Sequence, residues 1–232
     1  MHELVSASRH TLDEIVSDQI RRRIVSLDYL PGMMIFENAV AGEFGISRTP
    51  VHQAFMRLSH EGLLTVLPQR GAQVSFLSRK TVANAQYVRE CLEASAFADA
   101  ARAWDADDPD YQQREERVRD LIFEQRKAVA QGDYLHFTEL DIAYHNEILG
   151  VVENDLLLAT VGQMRNHLNR IRYLELKEAH HEEQMILDHE ALIDLIVEGS
   201  AEAASEMLLS HLKTLQDFRE EIFARHPELF SN

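Results

Sequence analysis

The sequence predicts a mainly α-helical protein of two unlike parts: an N-terminal winged helix-turn-helix, residues 1–76, and an all-helical antiparallel bundle, residues 77–232. Three observations carry this reading. Only 9 Gly and 5 Pro occur among 232 residues, so long stretches run without a helix breaker. Apolar residues recur three and four positions apart through nearly all of the chain after Ser78. Before that point, helical patterns and a period-two hairpin follow one another at short intervals.

Composition bounds the function classes. The chain is 45% hydrophobic and 27% charged, which suits a folded core and excludes wholesale disorder. A single cysteine, Cys91, excludes an internal disulfide framework and fits a reducing cytoplasm. No apolar run approaches the ~20 residues of a membrane span, and MHELVSASRH lacks a signal-peptide core. The expectation is a cytoplasmic protein without a membrane partner. Net charge is −16, which at first argues against nucleic acid. Its distribution removes the objection: residues 1–80 carry a net +1 and the remainder −17. A nearly neutral segment can still present a basic face.

The first helix is expected from Thr11 to about Ser26, with Leu12, Ile15, Val16, Ile20, Ile24 and Leu27 at helical spacing. Pro31-Gly32 ends that region in a turn. Residues 37–44 read as a short helix closed by Gly45. Ser47 then serves as N-cap, with Pro50 in the first turn of a helix that buries Val51, Phe55 and Leu58 and stops at Gly62. Residues 63–66 and 73–76 alternate as two strands joined through Pro68-Gln69-Arg70-Gly71. Further helices are expected at 79–105, 109–131, 133–149, 154–178, 181–198 and 200–224. Asp107-Asp108-Pro109, Gly132, Gly150 and Gly199 supply the breaks.

In a helix-turn-helix the helix after the tight turn enters the major groove, and its first residues meet the base edges. Here those are Ser47, Arg48 and Thr49. Arg48 can donate two hydrogen bonds to guanine, and the hydroxyls can reach phosphates or bases. Arg70-Gly71 lies at the wing tip, where glycine lets backbone approach DNA and arginine can enter the minor groove. Ser-Arg-Thr-Pro alone also suits a plain surface-helix cap. The ordered series Leu30-Pro31-Gly32, Phe44-Gly45-Ile46-Ser47-Arg48-Thr49-Pro50-Val51, Leu58, Glu61-Gly62-Leu63 and Arg70-Gly71 says more. It resembles the GntR family of bacterial transcription regulators over residues 12–76. The family usually has Arg-Glu-Ala-Leu after Pro-Val, where this chain has His52-Gln53-Ala54-Phe55. His52 therefore stands where an arginine usually contacts DNA, which implies a weaker or pH-dependent contact.

Four ionisable residues fall on apolar stripes of the bundle. Asp141 and His145 share a face with Phe137, Tyr144 and Ile148; His189 lies with Ile186, Ile193 and Ile196; His211 lies with Leu208, Leu215 and Phe218. Burying four such groups unpaired costs several kcal/mol. One divalent metal resolves all of them, since imidazoles plus a carboxylate suit Zn²⁺ first, and also Ni²⁺, Mn²⁺ or Fe²⁺. The plainer alternative is a hydrogen-bonded Asp141–His145 pair and satisfied core histidines, in a chain with 12 histidines.

The bundle also resembles the FCD effector-binding domain of the FadR subfamily over residues 79–222. The residues that carry this are Arg89-Glu90-Cys91-Leu92-Glu93, Asp141-Ile142-Ala143-Tyr144-His145, His189 and His211. The resemblance implies a metal on Asp141, His145, His189 and His211. It also implies a small organic acid whose carboxylate meets Arg89, although a surface pair between Arg89 and Glu93 reads equally well. Arg165, Asn169 and Arg172 share a helix face that can line the same pocket or meet solvent. A homodimeric repressor on a palindromic double-stranded operator follows from the same resemblance. The competing class is a helical metal-dependent hydrolase. No glutamate stands at a general-base spacing such as His-Glu-x-x-His, and a hydrolase leaves the N-terminal unit without a purpose.

Overall fold

The computed structural model describes residues 11–214 and 216–231, so His2, His10 and Leu215 lie outside the described residues. The chain divides into two compact units, Met1–Phe76 and Leu77–Asn232.

In the first unit, α1 spans Leu12–Val25, α2 Glu37–Phe44 and α3 Arg48–His60. Strands β1 (Met34–Ile35), β2 (Leu64–Leu67) and β3 (Gly71–Val74) form an antiparallel sheet in the order β1-β3-β2. The core gathers Val16, Ile20 and Ile24 with Val51, Phe55, Leu58, Leu64 and Val74. The first apolar stripe is shorter than its spacing suggests: Leu12 and Ile15 are exposed, and Leu27 lies past the helix at positive φ. Gly45 closes α2 in the left-handed conformation, as a helix stop at glycine requires. The strands sit slightly differently from the alternation. The tip is only Pro68–Arg70, with Leu67 paired to Gly71, because this register buries Leu64, Ala72 and Val74 on one face. β1 has two residues, too few for periodicity to show it.

The second unit holds α4 (Arg79–Ala103), α5 (Pro109–Gln131), α6 (Tyr134–Leu149), α7 (Asp155–Ala179), α8 (Glu182–Val197), α9 (Ala201–Lys213) and α10 (Arg219–Arg225). α4 packs on α7 and α9, and α5 on α6 and α8. The caps are local. Asp108, Asp133 and Asn154 each accept a backbone N–H from the following first turn, at 2.8, 2.9 and 3.0 Å. The long last helix expected at 200–224 is broken. α9 stops at Lys213, a 3-10 turn occupies Gln216–Phe218, and α10 follows. The turn brings Arg219 Nε to 2.7 Å from Glu175 Oε1, a carboxylate fully buried on α7 that needs a cation. Phe218 accordingly leaves the His211 stripe and packs against His181 at 4.7 Å between rings. No helix among the described residues is long and apolar enough to cross a membrane.

Candidate functional site

Two groups of side chains stand out, one in each unit. In the first, Ser47 is the N-cap of α3, and Ser47, Arg48 and Thr49 are all exposed at its start. Arg48, His52, Arg70 and Gly71 line one groove of about 280 Å³ together with Glu37, a residue that the sequence did not single out. Glu37 accepts from Arg48 Nη2 and from His52 Nδ1, each at 2.7 Å. Gly71 has a second demand on it besides exposure of the backbone. Its φ is +91°, and a Cβ there would lie 2.5 Å from the Ile35 carbonyl oxygen. Only glycine lets β3 lie this close to β1.

In the second unit Asp141 and His145 come from α6, His189 from α8 and His211 from α9, and all four are buried. One ligand atom from each lies within 4.8 Å of every other. His145 Nε2 is 3.8 Å and His189 Nε2 3.5 Å from Asp141 Oδ1, and His189 Nε2 is 3.2 Å from His211 Nε2. Ligands held about 2.1 Å from one ion lie about 3.0–4.2 Å apart; these three separations fall in that range, and the 4.8 Å limit of the whole set lies somewhat above it.

The chemistry of the donors fits as well. His189 Nδ1 donates to Gln125 Oε1 at 2.8 Å, and His211 Nδ1 to Asp188 Oδ2 at 3.3 Å. His145 Nδ1 stands 2.8 Å from Glu93 Oε2, close in distance but poorly aligned for a hydrogen bond. With Nδ1 serving as donor, the facing Nε2 of an imidazole that carries a single proton presents a lone pair, at His189 and at His211 alike. Only a proton or a cation satisfies two lone pairs at that separation, and each Nδ1 has the backing acceptor that metal-binding histidines use. Burial lowers His145 to about 4 and His189 well below the ordinary histidine value, so both are neutral near pH 7. Asp141 stays ionised: burial opposes its charge, but the Arg172 guanidinium, with Nη1 2.9 Å from Oδ2, and the neighbouring histidines hold it well below the carboxylate range.

Behind this cluster sits a buried chain of charge. Arg89 Nε donates to Glu93 Oε1 at 2.5 Å, and Arg165 Nη2 to the same oxygen at 3.1 Å. The pairing of Arg89 with Glu93 is therefore real, but it is internal: Arg89 is 1% and Glu93 0% exposed. Burial pulls Arg89 down to about 10, partly offset by Glu93. Arg165, Asn169 and Arg172 face the interior too, which helical phase alone left open. Arg89 Nη2, Arg165 Nε and Asn169 Oδ1 are buried without a hydrogen-bond partner. Glu93, Gln125 and Asp188 were missed as supports of the histidines. Gln125 left a trace, a polar residue in step with Val118 and Ile122 on a buried stripe.

A three-helix unit with a small wing and an exposed helix start, joined to a helical unit with a charged interior, is the architecture of a DNA reader with a second domain. Comparison with known proteins agrees. Residues 12–74 match the family described as bacterial regulatory proteins, gntR family, and residues 84–214 match the FCD domain. An HTH-type transcriptional regulator in an unstable DNA locus of Streptomyces ambofaciens is 32% identical, covering 92% of this chain and 87% of the relative. The HTH-type transcriptional repressor RspR of Escherichia coli is 26% identical, covering 91% and 90%. The gluconate operon transcriptional repressor of Bacillus subtilis is 27% identical, covering 90% and 85%. Among solved structures, Escherichia coli McbR/YncC shares the fold with a TM-score of 0.79 at 17% identity, covering 92% and 99%. This chain belongs to the GntR family, with an FCD domain behind its helix-turn-helix. It is a DNA-binding transcription regulator and not an enzyme, which sets the hydrolase reading aside.

Proposed function

We propose that this regulator is a FadR-subfamily repressor that binds a palindromic operator as a homodimer and releases it when a small organic acid enters the bundle. The observation that carries the proposal is the convergence of three imidazoles and Asp141 inside that unit, with acceptors hydrogen-bonded behind His189 and His211 and Glu93 beside His145. Asp141, His145, His189 and His211 hold a divalent ion, Zn²⁺ in the first instance and otherwise Ni²⁺, Mn²⁺ or Fe²⁺. Such an ion would supply positive charge that suits a carboxylate. Arg89 and Arg165, each with an unpartnered N–H, and Asn169, with an unpartnered carbonyl, bind the remainder of the acid; Arg172 holds Asp141 in its charged form. The net −17 of residues 81–232 repels anions outside, so the arginines inside give an acid its reason to enter. The gluconate operon repressor among the relatives favours a sugar acid. A reader of bacterial operators works in the cytoplasm.

On the DNA side, Arg48 reads a base edge, Ser47, Thr49 and His52 contact bases or phosphates, and Arg70 with Gly71 forms the wing contact. Two tests are direct. Metal analysis of natively purified protein should find one divalent ion per bundle, and His189→Ala should lose it; a metal-free protein whose melting temperature ignores added Zn²⁺, Ni²⁺ and Mn²⁺ refutes the ion. Operator affinity is then measured against a panel of sugar acids, hydroxy acids and dicarboxylates. Release by one of them from wild type but not from Arg89→Ala is the expected result. Equal release from both removes the pocket as sensor.

A further inference from the structure

We propose that Glu37 is a specificity-determining residue of the DNA-reading face, which orients Arg48 and His52 and penalises non-specific binding. The proposal rests on the reading that α3 meets the bases. Glu37 stands in the first turn of α2, while Arg48 and His52 lie one turn apart on α3, so its carboxylate spans the two helices. Its side chain is 17% exposed, whereas those of Arg48 and His52 are 66% and 57% exposed. A nearly covered acid thus holds two uncovered readers from beneath.

The hydrogen-bond arithmetic favours reading over blocking. A guanidinium offers two edges with a pair of parallel donors, one formed by both Nη atoms and one by Nε with Nη2. Glu37 takes a single hydrogen of Nη2. Whichever hydrogen it takes, the other edge keeps both donors, and those match N7 and O6 of guanine. The carboxylate therefore fixes the plane of Arg48 without consuming its recognition edge. His52, which lines the same groove, is fixed likewise: a carboxylate only accepts, so Nδ1 is the donor and Nε2 is left as the acceptor of a neutral ring.

Charge supplies the second half of the effect. The Arg48 hydrogen bond, and then that of His52, hold the Glu37 carboxyl below the usual range, so it is ionised at neutral pH. A fixed negative charge under the reading face weakens attraction to any phosphate backbone, and residues 1–80 carry only a net +1. Only a duplex that engages Arg48 and His52 in their held orientation recovers the loss. Glu37 in this way raises the ratio of specific to non-specific affinity while lowering both.

The full-length protein is tested after its operator has been selected from a random duplex library. Binding is measured by fluorescence anisotropy for wild type, Glu37→Ala, Glu37→Gln and Arg48→Ala. The duplexes are the operator, a set with single base-pair changes, and a scrambled sequence. Glu37→Ala is expected to bind the scrambled duplex more tightly with a steeper salt dependence, and to discriminate about tenfold less at the base pair read by Arg48. Glu37→Gln retains an acceptor oxygen and should recover part of the discrimination but not the low non-specific affinity. If Arg48→Ala loses discrimination while Glu37→Ala keeps the wild-type ratio, the role of Glu37 is refuted and α3 remains the reader. If neither changes the ratio, the reading of α3 itself falls. A uniform loss by Glu37→Ala on every duplex, with a lowered melting temperature, reduces Glu37 to a structural contact and also refutes the proposal.

Discussion

Glu93→Gln is the substitution that most directly probes the buried charge behind the histidines. It keeps the shape of the side chain and removes one negative charge. That charge faces Arg89 at 2.5 Å, Arg165 at 3.1 Å and His145 Nδ1 at 2.8 Å, with no exposed surface at Glu93 itself. Removing one partner of a buried ion pair costs about 3–5 kcal/mol, because the remaining charges lose their compensation without regaining water. Arg172 cannot offset the loss, since it brings a further positive charge. A second contribution appears only with metal bound. Glutamine keeps an acceptor oxygen but removes the charge behind His145, and weakened support of a ligating histidine lowers metal affinity by about 10-fold, which is about 1.4 kcal/mol. The protein has one tryptophan, Trp104, at the end of α4 and 5.1 Å from the ring of Tyr111, so its fluorescence follows unfolding of the bundle. Urea unfolding in chelator isolates the first contribution, and repeating it with Zn²⁺ adds the second. Glu90→Gln is the control, because Glu90 is half-buried and meets only the amides of Gln86 and Gln216. A Glu93→Gln protein within 1 kcal/mol of wild type in chelator would show that the arginines find other partners, and the charge argument would fail.

Two further substitutions test other parts of the fold. Gly71→Ala should cost about 2–4 kcal/mol, from the left-handed backbone and from the Ile35 carbonyl in the way of the new Cβ. Hydrogen exchange over residues 63–76 should reveal it as lost protection, and wild-type protection there would contradict the account. Arg219→Ala leaves Glu175 buried without its cation and should lower bundle stability by about 3 kcal/mol, again followed through Trp104. An unchanged urea midpoint would mean that Arg172 alone holds Glu175.

Much of this architecture is legible in the sequence because its signals are local. Glycine at a left-handed helix end and proline at the start of α5 each act within four residues, and they place the stops at Gly45 and Gly132 and the break at Asp108-Pro109 correctly. The metal candidates show for the same reason, since a histidine on an apolar stripe conflicts with its own helix. What does not show is set by contacts across the chain. Beyond the break after α9, Arg219 meets Glu175, 44 residues before it in sequence. β1 exists only because β3 lies beside it. Leu12 and Ile15 satisfy helical spacing yet lie outside the core, because periodicity marks a face without showing where its cover ends. Glu37, Glu93 and Asp188 are ordinary acids in sequence. Their roles arise from cations or imidazoles brought to them from other helices or from the next turn.

The buried interior of the bundle bears on regulation through its incompleteness. A regulator that responds to a small molecule needs two states of similar free energy, and a ligand shifts them only by its difference in affinity. A fully satisfied apolar core would strongly favour one packing. This core instead keeps Arg89 Nη2, Arg165 Nε and Asn169 Oδ1 without partners, and each unpaired buried polar group costs about 1–3 kcal/mol. An acid that satisfies two or three of them gains most in whichever arrangement leaves them least satisfied beforehand. The same groups link α4 and α7, since Glu93 of α4 bonds Arg165 of α7, while Arg172 ties α7 to Asp141 of α6. Under the proposed function, a ligand carboxylate competing with Glu93 for Arg165 would act on the contact between α4 and α7. If the proposed acid is the effector, the unpaired groups already carry their cost without it, and the acid need supply only the difference in affinity between the two states.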